Sequence, residues 1–356
     1  MDTAKTAYLI LENGKVLEGK FFGAEKEVAG EIVFTTAMTG YLETLTDQSY
    51  HGQIVLQTFP LIGNYGVIKP DFESANIAPV AYIAKYPCAY PSNFRSEGSL
   101  DALFKEKGIT GLSGIDTRML AKLIRESGVM NGKITTKPPT DADREEAKKY
   151  DIISPIASVS QRTVTKEGEG KKRRVALMDY GVKRGITNEL LKRDCEVWTF
   201  PHDAKTEDVM KMKPHGIMLS NGPGDPADPG NKVCIDTLKE LMETSVPIFG
   251  ICMGHQLMAL AKGYKTRKLK FGHRGANQAV KDTRTGRVYI TSQNHGYEVI
   301  AESNSSFINV NDRTNEGLDY GVSFSVQFHP EACGGPLDTG FLFDDFMKRM
   351  DAHATR

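Results

Sequence analysis

The chain has little of what marks a secreted, membrane-spanning or nucleic-acid-binding protein. Its 356 residues hold one Trp and five Cys, and an odd cysteine count without regular spacing argues against a disulfide framework and for a reducing, cytoplasmic setting. Charge of one sign is missing as well, since 45 Lys+Arg face 45 Asp+Glu for a formal net charge of +0, which removes the broad attraction that carries most nucleic-acid affinity. Long apolar runs are absent. Ala7 to Leu11 is too short for a signal-peptide core. Val246 to Ala261 is interrupted by His255 and Gln256 and falls short of the roughly 20 residues of a spanning helix. What remains is the composition of a folded soluble protein, 40% hydrophobic and 25% charged. The length predicts two domains, each able to bury its own core.

The first part reads as β-rich. Thr6 to Leu11 and Lys15 to Phe22 are strand-like runs meeting at Asn13-Gly14, a hairpin signal. Further extended stretches are Glu31 to Thr36, Gln53 to Thr58 and Ala75 to Ala84. Leu100 to Lys107 and Asp116 to Ser127 read as helices; the second has Asp116 to cap it, Gly128 to end it, and Met119, Leu120, Leu123 and Ile124 on one face. Residues 138–172 lose the pattern and read as a linker flanking a short helix, which places the domains at 1–137 and 173–356. The basic run Lys171 to Arg174 reads as a solvated domain entrance. Beyond it, strands and helices alternate from Val175 to Lys262, the signature of βαβ units around a mainly parallel sheet. Ligands in such sheets sit at the carboxyl ends of the strands. An antiparallel extension over Lys265 to Phe328 and a helix over Phe341 to Met350 complete the expectation.

Four segments carry chemistry. Gly250-Ile-Cys252-Met-Gly254 follows a short apolar strand and opens a helix, the arrangement in which small residues allow a sharp turn that projects a nucleophile. The helix N-terminus there favours a thiolate; the alternative is a buried structural cysteine. Phe328-His329-Pro330-Glu331 puts His329 and Glu331 on one face of an extended chain, which suits a base and the carboxylate that orients it, or else a turn without chemistry. In Ser220 to Pro226, Gly222 and Gly224 allow close backbone approach, and the Gly224 amide with that of Met253 could form an oxyanion hole. Gln293 to Tyr297 offers Asn294 and its backbone to an amide or an α-amino acid. The last two segments, taken singly, are equally loops without a ligand.

Order and spacing of the four together resemble the class I (triad) glutamine amidotransferases, a flavodoxin-like α/β fold, over about residues 173–356. The resemblance implies that Cys252 attacks the side-chain amide of glutamine, His329 shuttles the proton, Glu331 orients His329, and ammonia leaves from a thioester that water then hydrolyses. Gly30 to Tyr50, Gly52 to Val55, Ile62 to Gly66 and Gly114 to Arg118 resemble the amino-terminal domain of the carbamoyl-phosphate synthase small subunits, so the likeness spans nearly the whole chain. By that resemblance Ser49, Gly222, Gly224, Met253, Gln256, Asn294, Gly296 and Tyr297 hold glutamine. Tyr297 stands where Phe is more usual, a mild change where backbone makes the contact.

Carbamoyl phosphate synthesis needs ATP and bicarbonate, and no credible nucleotide loop is present. Gly14 to Lys20 copies part of a phosphate loop, but Phe21 stands where Ser or Thr is required and the setting is a hairpin. The resemblance therefore implies no cofactor in this chain and a large synthetase partner that binds ATP with its metal ions, receives ammonia through an internal passage and docks on the amino-terminal domain. The product serves arginine and pyrimidine biosynthesis. Cys333 matches no motif position, and Cys252 with His255 lacks the further ligands a zinc site needs. The rivals are an amidotransferase serving another acceptor, which has no reason to carry Gly30 to Tyr50, and a catalytically silent docking subunit.

Overall fold

The computed structural model describes residues 5–301, 304–332 and 334–354, so Cys333 lies outside the described residues. The chain forms two compact units, Met1–Ile153 and Ser154–Arg356.

The first unit is a closed seven-stranded barrel. In barrel order its strands are Thr6–Leu11, Val16–Gly23, Thr110–Ser113, Ala81–Ala84, Gln53–Gln57, Val28–Thr35 and Met130–Thr135, the last pairing back onto the first. The Asn13-Gly14 hairpin forms, with Gly14 at φ 88° donating its N–H to Leu11 O at 2.8 Å. All five residues of Gln53–Gln57 are buried, because the outer face of the barrel is covered as well: Val33, Val55, Tyr82 and Phe22 pack beneath Leu42, Leu45, Leu103 and Phe104. The expected helices occupy Leu100–Lys107 and Thr117–Ser127, the latter capped by Asp116, which accepts from Met119 N at 2.9 Å, and ended at Gly128. Of the expected Ala75–Ala84 strand only Ala81–Ala84 pairs; Pro79 lacks the N–H a ladder needs.

Residues 138–172 differ from the expected linker. They carry the helices Asp141–Lys149 and Pro155–Val159 and the strand Thr165–Glu167. The first helix belongs to the barrel unit, held by Lys133 Nζ on Asp143 and Glu146 at 2.9 and 2.6 Å and by Arg144 Nε on Glu12 O at 3.0 Å. Only Ala147 of its residues is fully enclosed, so it shows no apolar stripe and its attachment through charges is invisible to periodicity. The strand pairs with Cys195–Pro201 in the second unit. The basic run is engaged structurally, with Arg173 on Asp351 through two hydrogen bonds and Arg174 on the carbonyls of Met212 and Lys213.

The second unit is built on a ten-stranded sheet. Its centre is parallel, in the order Cys195–Pro201, Arg173–Asp179, Gly216–Leu219, Ile248–Ile251 and Phe324–Val326, and the strands between Lys265 and Asp319 extend it antiparallel. Alternation along each strand feeds two cores. Val175 and Leu177 face Ile186, Phe343 and Phe346 on one side, while Ala176 and Met178 share the other with Leu238 and Leu257. The parallel strands consequently read as continuous apolar runs. Their carboxyl ends lie side by side, and there the candidate residues gather.

Candidate active site

Cys252 ends the Ile248–Ile251 strand and caps the Met253–Ala261 helix at φ 53° and ψ −102°, a backbone conformation that a residue with a side chain adopts only when its surroundings enforce it. The enforcement is visible. A Cβ on Gly250 would lie 2.8 Å from the backbone of Gly254, and one on Gly254 would lie 2.6 Å from Leu219 O. Both glycines are therefore required for helix and strand to meet so closely. The amide of Cys252 donates to Val326 O at 2.9 Å and that of Gly254 to Ser220 O at 3.0 Å, which locks the turn between its neighbouring strands.

The thiol is 2% exposed at the residue level, with Sγ 3.6 Å from the carbonyl oxygen of Asn294. That carbonyl belongs to the long strand Val288–Ile300, which also receives the His329 amide on Ser292 O at 2.9 Å. Three strand ends and the middle of a fourth strand thus converge. His329 is buried, its Nδ1 donates to Glu331 Oε1 at 2.6 Å, and its Nε2 has no geometric hydrogen-bond partner among the described residues. The ring also interacts with the Cys252 side chain, so Nε2 is the nitrogen left for proton exchange with sulfur.

Lys183 completes the group and was not anticipated. It follows the Arg173–Asp179 strand, its backbone N–H is held by Asn221 Oδ1 at 3.1 Å, and its Nζ lies 2.9 Å from Glu331 Oε1 with the two side chains 7% and 0% exposed. The signal was its place just beyond a strand's carboxyl end. Burial works against charge on Glu331, but Lys183 and His329 together hold its carboxyl well below the usual range. Burial likewise works against an imidazolium at His329; the Glu331 carboxylate outweighs it and the opposing Lys183 charge, and raises the ring above an ordinary histidine.

The remaining predicted residues divide by unit. Gly222 and Gly224 follow the Gly216–Leu219 strand; a Cβ on the first would sit 2.3 Å from Tyr180 O, and on the second 2.1 Å from Pro155 Cγ with φ at 87°. Met253 opens its helix, so its N–H has no intrahelical acceptor. Gln256 donates through Nε2 to Tyr297 O at 2.9 Å and Gln327 Oε1 at 3.0 Å, which leaves its carbonyl oxygen as the part able to serve a ligand. Asn294, Gly296 and Tyr297 lie on the strand beside the thiol. Ser49 lies in the barrel unit, in the turn Gln48–Tyr50 capped by Asp47. His255 is buried with Nδ1 on Ser325 Oγ at 2.8 Å.

Such a constellation, a strained cysteine between two packing glycines beside a histidine oriented by a carboxylate, performs acyl transfer through a thioester. The family profile described as carbamoyl-phosphate synthase small chain, CPSase domain, matches residues 9–134, and that of glutamine amidotransferase class-I matches 176–349. The pyrimidine-specific carbamoyl phosphate synthase small chain of Halalkalibacterium halodurans is 49% identical over 98% of this chain and 98% of its own length. The carbamoyl phosphate synthase small chain of Fusobacterium nucleatum is 49% identical over 96% of this chain and 98% of its own, and that of Listeria innocua 46% identical over 96% of each. With two domain profiles in tandem and such relatives matching from end to end, the chain belongs to the carbamoyl-phosphate synthase small-chain family, and its second unit is a class I glutamine amidotransferase domain.

Proposed function

We propose that Cys252, His329 and Glu331 hydrolyse glutamine in this chain as the glutaminase half of a carbamoyl-phosphate synthase. The observation that carries the reading is the thiol on its strained turn beside the Asn294 carbonyl, with the oriented ring of His329 next to it. His329 accepts the thiol proton while Sγ adds to the carboxamide carbon of glutamine. The imidazolium returns that proton to the departing nitrogen, so ammonia leaves and a thioester remains. Water, deprotonated by the same ring, then adds to the thioester and releases glutamate with the thiol restored. The amides of Gly224 and Met253 face the developing oxyanion. Gly222, Gln256, Asn294, Gly296 and Tyr297 hold the substrate, and Lys183 keeps Glu331 ionised so that it orients His329 rather than taking its proton.

Ammonia passes to a large synthetase subunit that binds ATP with its metal ions and bicarbonate; this chain holds no cofactor. The barrel unit carries the docking surface. The setting is cytoplasmic, in keeping with the absence among the described residues of any helix long and apolar enough to cross a membrane. Cys252→Ser in the assembled enzyme is expected to abolish glutamine-driven synthesis and leave ammonia-driven synthesis intact. Loss of both activities would refute this division of labour.

A further inference from the structure

Behind the strand that carries Asn294 lies a buried polar chain with no part in the chemistry described above. His273 pairs across the ladder with His295, their rings edge to face at 4.9 Å. His273 Nε2 contacts Asp312 Oδ2 at 2.7 Å, and its Nδ1 lies 3.5 Å from Glu316 Oε1. Glu316, fully buried, also receives Asn309 Nδ2 at 3.1 Å and, on its other oxygen, Gln293 Nε2 at 2.9 Å. Gln293 Oε1 is 3.0 Å from His295 Nε2, and His295 Nδ1 donates to Tyr297 O at 2.8 Å. That carbonyl is the one held by Gln256. The chain therefore runs from a half-exposed carboxylate, Asp312, to the backbone between Asn294 and Tyr297.

Its hydrogen bonds interlock. Tyr297 O can only accept, so His295 Nδ1 carries a proton. With Gln293 Nε2 on Glu316, the amide oxygen faces His295 Nε2, which must then be protonated too. With the amide turned, Nε2 of His295 accepts from Gln293, and Glu316 must carry the proton instead. One proton and one amide orientation thus fix the state of both ends. Burial disfavours charge on His295, lowering it, and raises Glu316. The imidazolium of His273, stabilised by Asp312 and Glu316 against burial, adds to the first effect.

We propose that His273, Asp312 and Glu316 are positioning residues for glutamine: acting through Gln293 and His295, they hold the Asn294–Tyr297 backbone in the place where the substrate meets it. The inference rests on the reading that this segment lines the glutamine pocket. Each of the three acts through Gln293 and His295 rather than on the substrate itself.

The test is steady-state glutamine kinetics on the assembled enzyme. Asp312→Asn preserves shape at a half-exposed site, and His273→Gln removes the buried cation; each is expected to raise KM for glutamine about tenfold while kcat changes far less. A merely structural role would instead reduce the active fraction, lowering kcat without moving KM, and would overturn the proposal. Gly296→Ala serves as the control on the pocket. If it raises KM while Asp312→Asn and His273→Gln do not, the positioning role fails and the pocket stands; if none of the three moves KM, both readings fail. One transition-metal ion bound per wild-type chain and lost in His273→Gln would also overturn the proposal, because His273, His295 and Glu316 would then be ligands.

Discussion

Lys183→Met removes the cation that faces Glu331 from inside the protein. The two charged atoms lie 2.9 Å apart with both side chains almost fully enclosed, and stripping one partner from such a pair costs about 3–5 kcal/mol because the other charge stays buried and unpaired. His329 remains beside Glu331, which softens the loss. A double cycle separates the terms. Glu331→Gln deletes the stranded charge, so Lys183→Met should be markedly less harmful in that background, with a coupling of roughly 1–3 kcal/mol read from denaturant unfolding of the second unit. The same substitution acts on the imidazole. Glu331 raises His329 and Lys183 opposes it, so without the lysine the ring should keep its proton to higher pH, and because the ring must be unprotonated to accept the thiol proton, the acid limb of the glutaminase rate profile should move upward. Additive unfolding energies together with an unmoved or downward-moved limb would refute the claim that Lys183 acts through Glu331.

Gly224→Ala places a Cβ within 2.1 Å of Pro155 Cγ at φ 87°, so the loop must shift and its amide with it; glutamine turnover should fall roughly 10²- to 10³-fold, as for loss of one oxyanion donor, and single-turnover rates will show it. His273 is buried, which alone would lower it, yet Asp312 and Glu316 lift it from 6.5 to about 9. A folded-state value above the unfolded one means that its stabilisation is full below about pH 6.5 and is lost as pH climbs through about 9. Stability of the second unit should decline across that window, and His273→Gln should flatten the decline in urea titrations. Asp116→Ala removes the cap of the Thr117–Ser127 helix and should cost about 1 kcal/mol in unfolding with glutaminase kinetics unchanged.

Local chemistry was legible wherever one residue type answers one local requirement. Asn13-Gly14 specified its hairpin, Asp116 and Gly128 bounded their helix, and Gly250, Cys252 and Gly254 specified the elbow, because each fixes backbone geometry within a few positions. The alternation of apolar runs gave the layered second unit for the same reason. The helix Asp141–Lys149 was legible only as a short helix within a linker, and its place in the barrel unit escaped because ion pairs, not an apolar face, attach it. Closure of seven strands of the first unit into a barrel is a matter of which strand pairs with which, and the pairing of Thr6–Leu11 with Met130–Thr135 spans more than a hundred residues that no local pattern connects. Lys183 and Glu331, or Asp312 and Tyr297, are likewise joined only by the packing of strand ends and ladders. The amino-acid order determined which groups were available and how each turn would bend; the tertiary fold decided which buried charges faced one another, since electrostatic coupling depends on distance and burial, and neither is written along the chain.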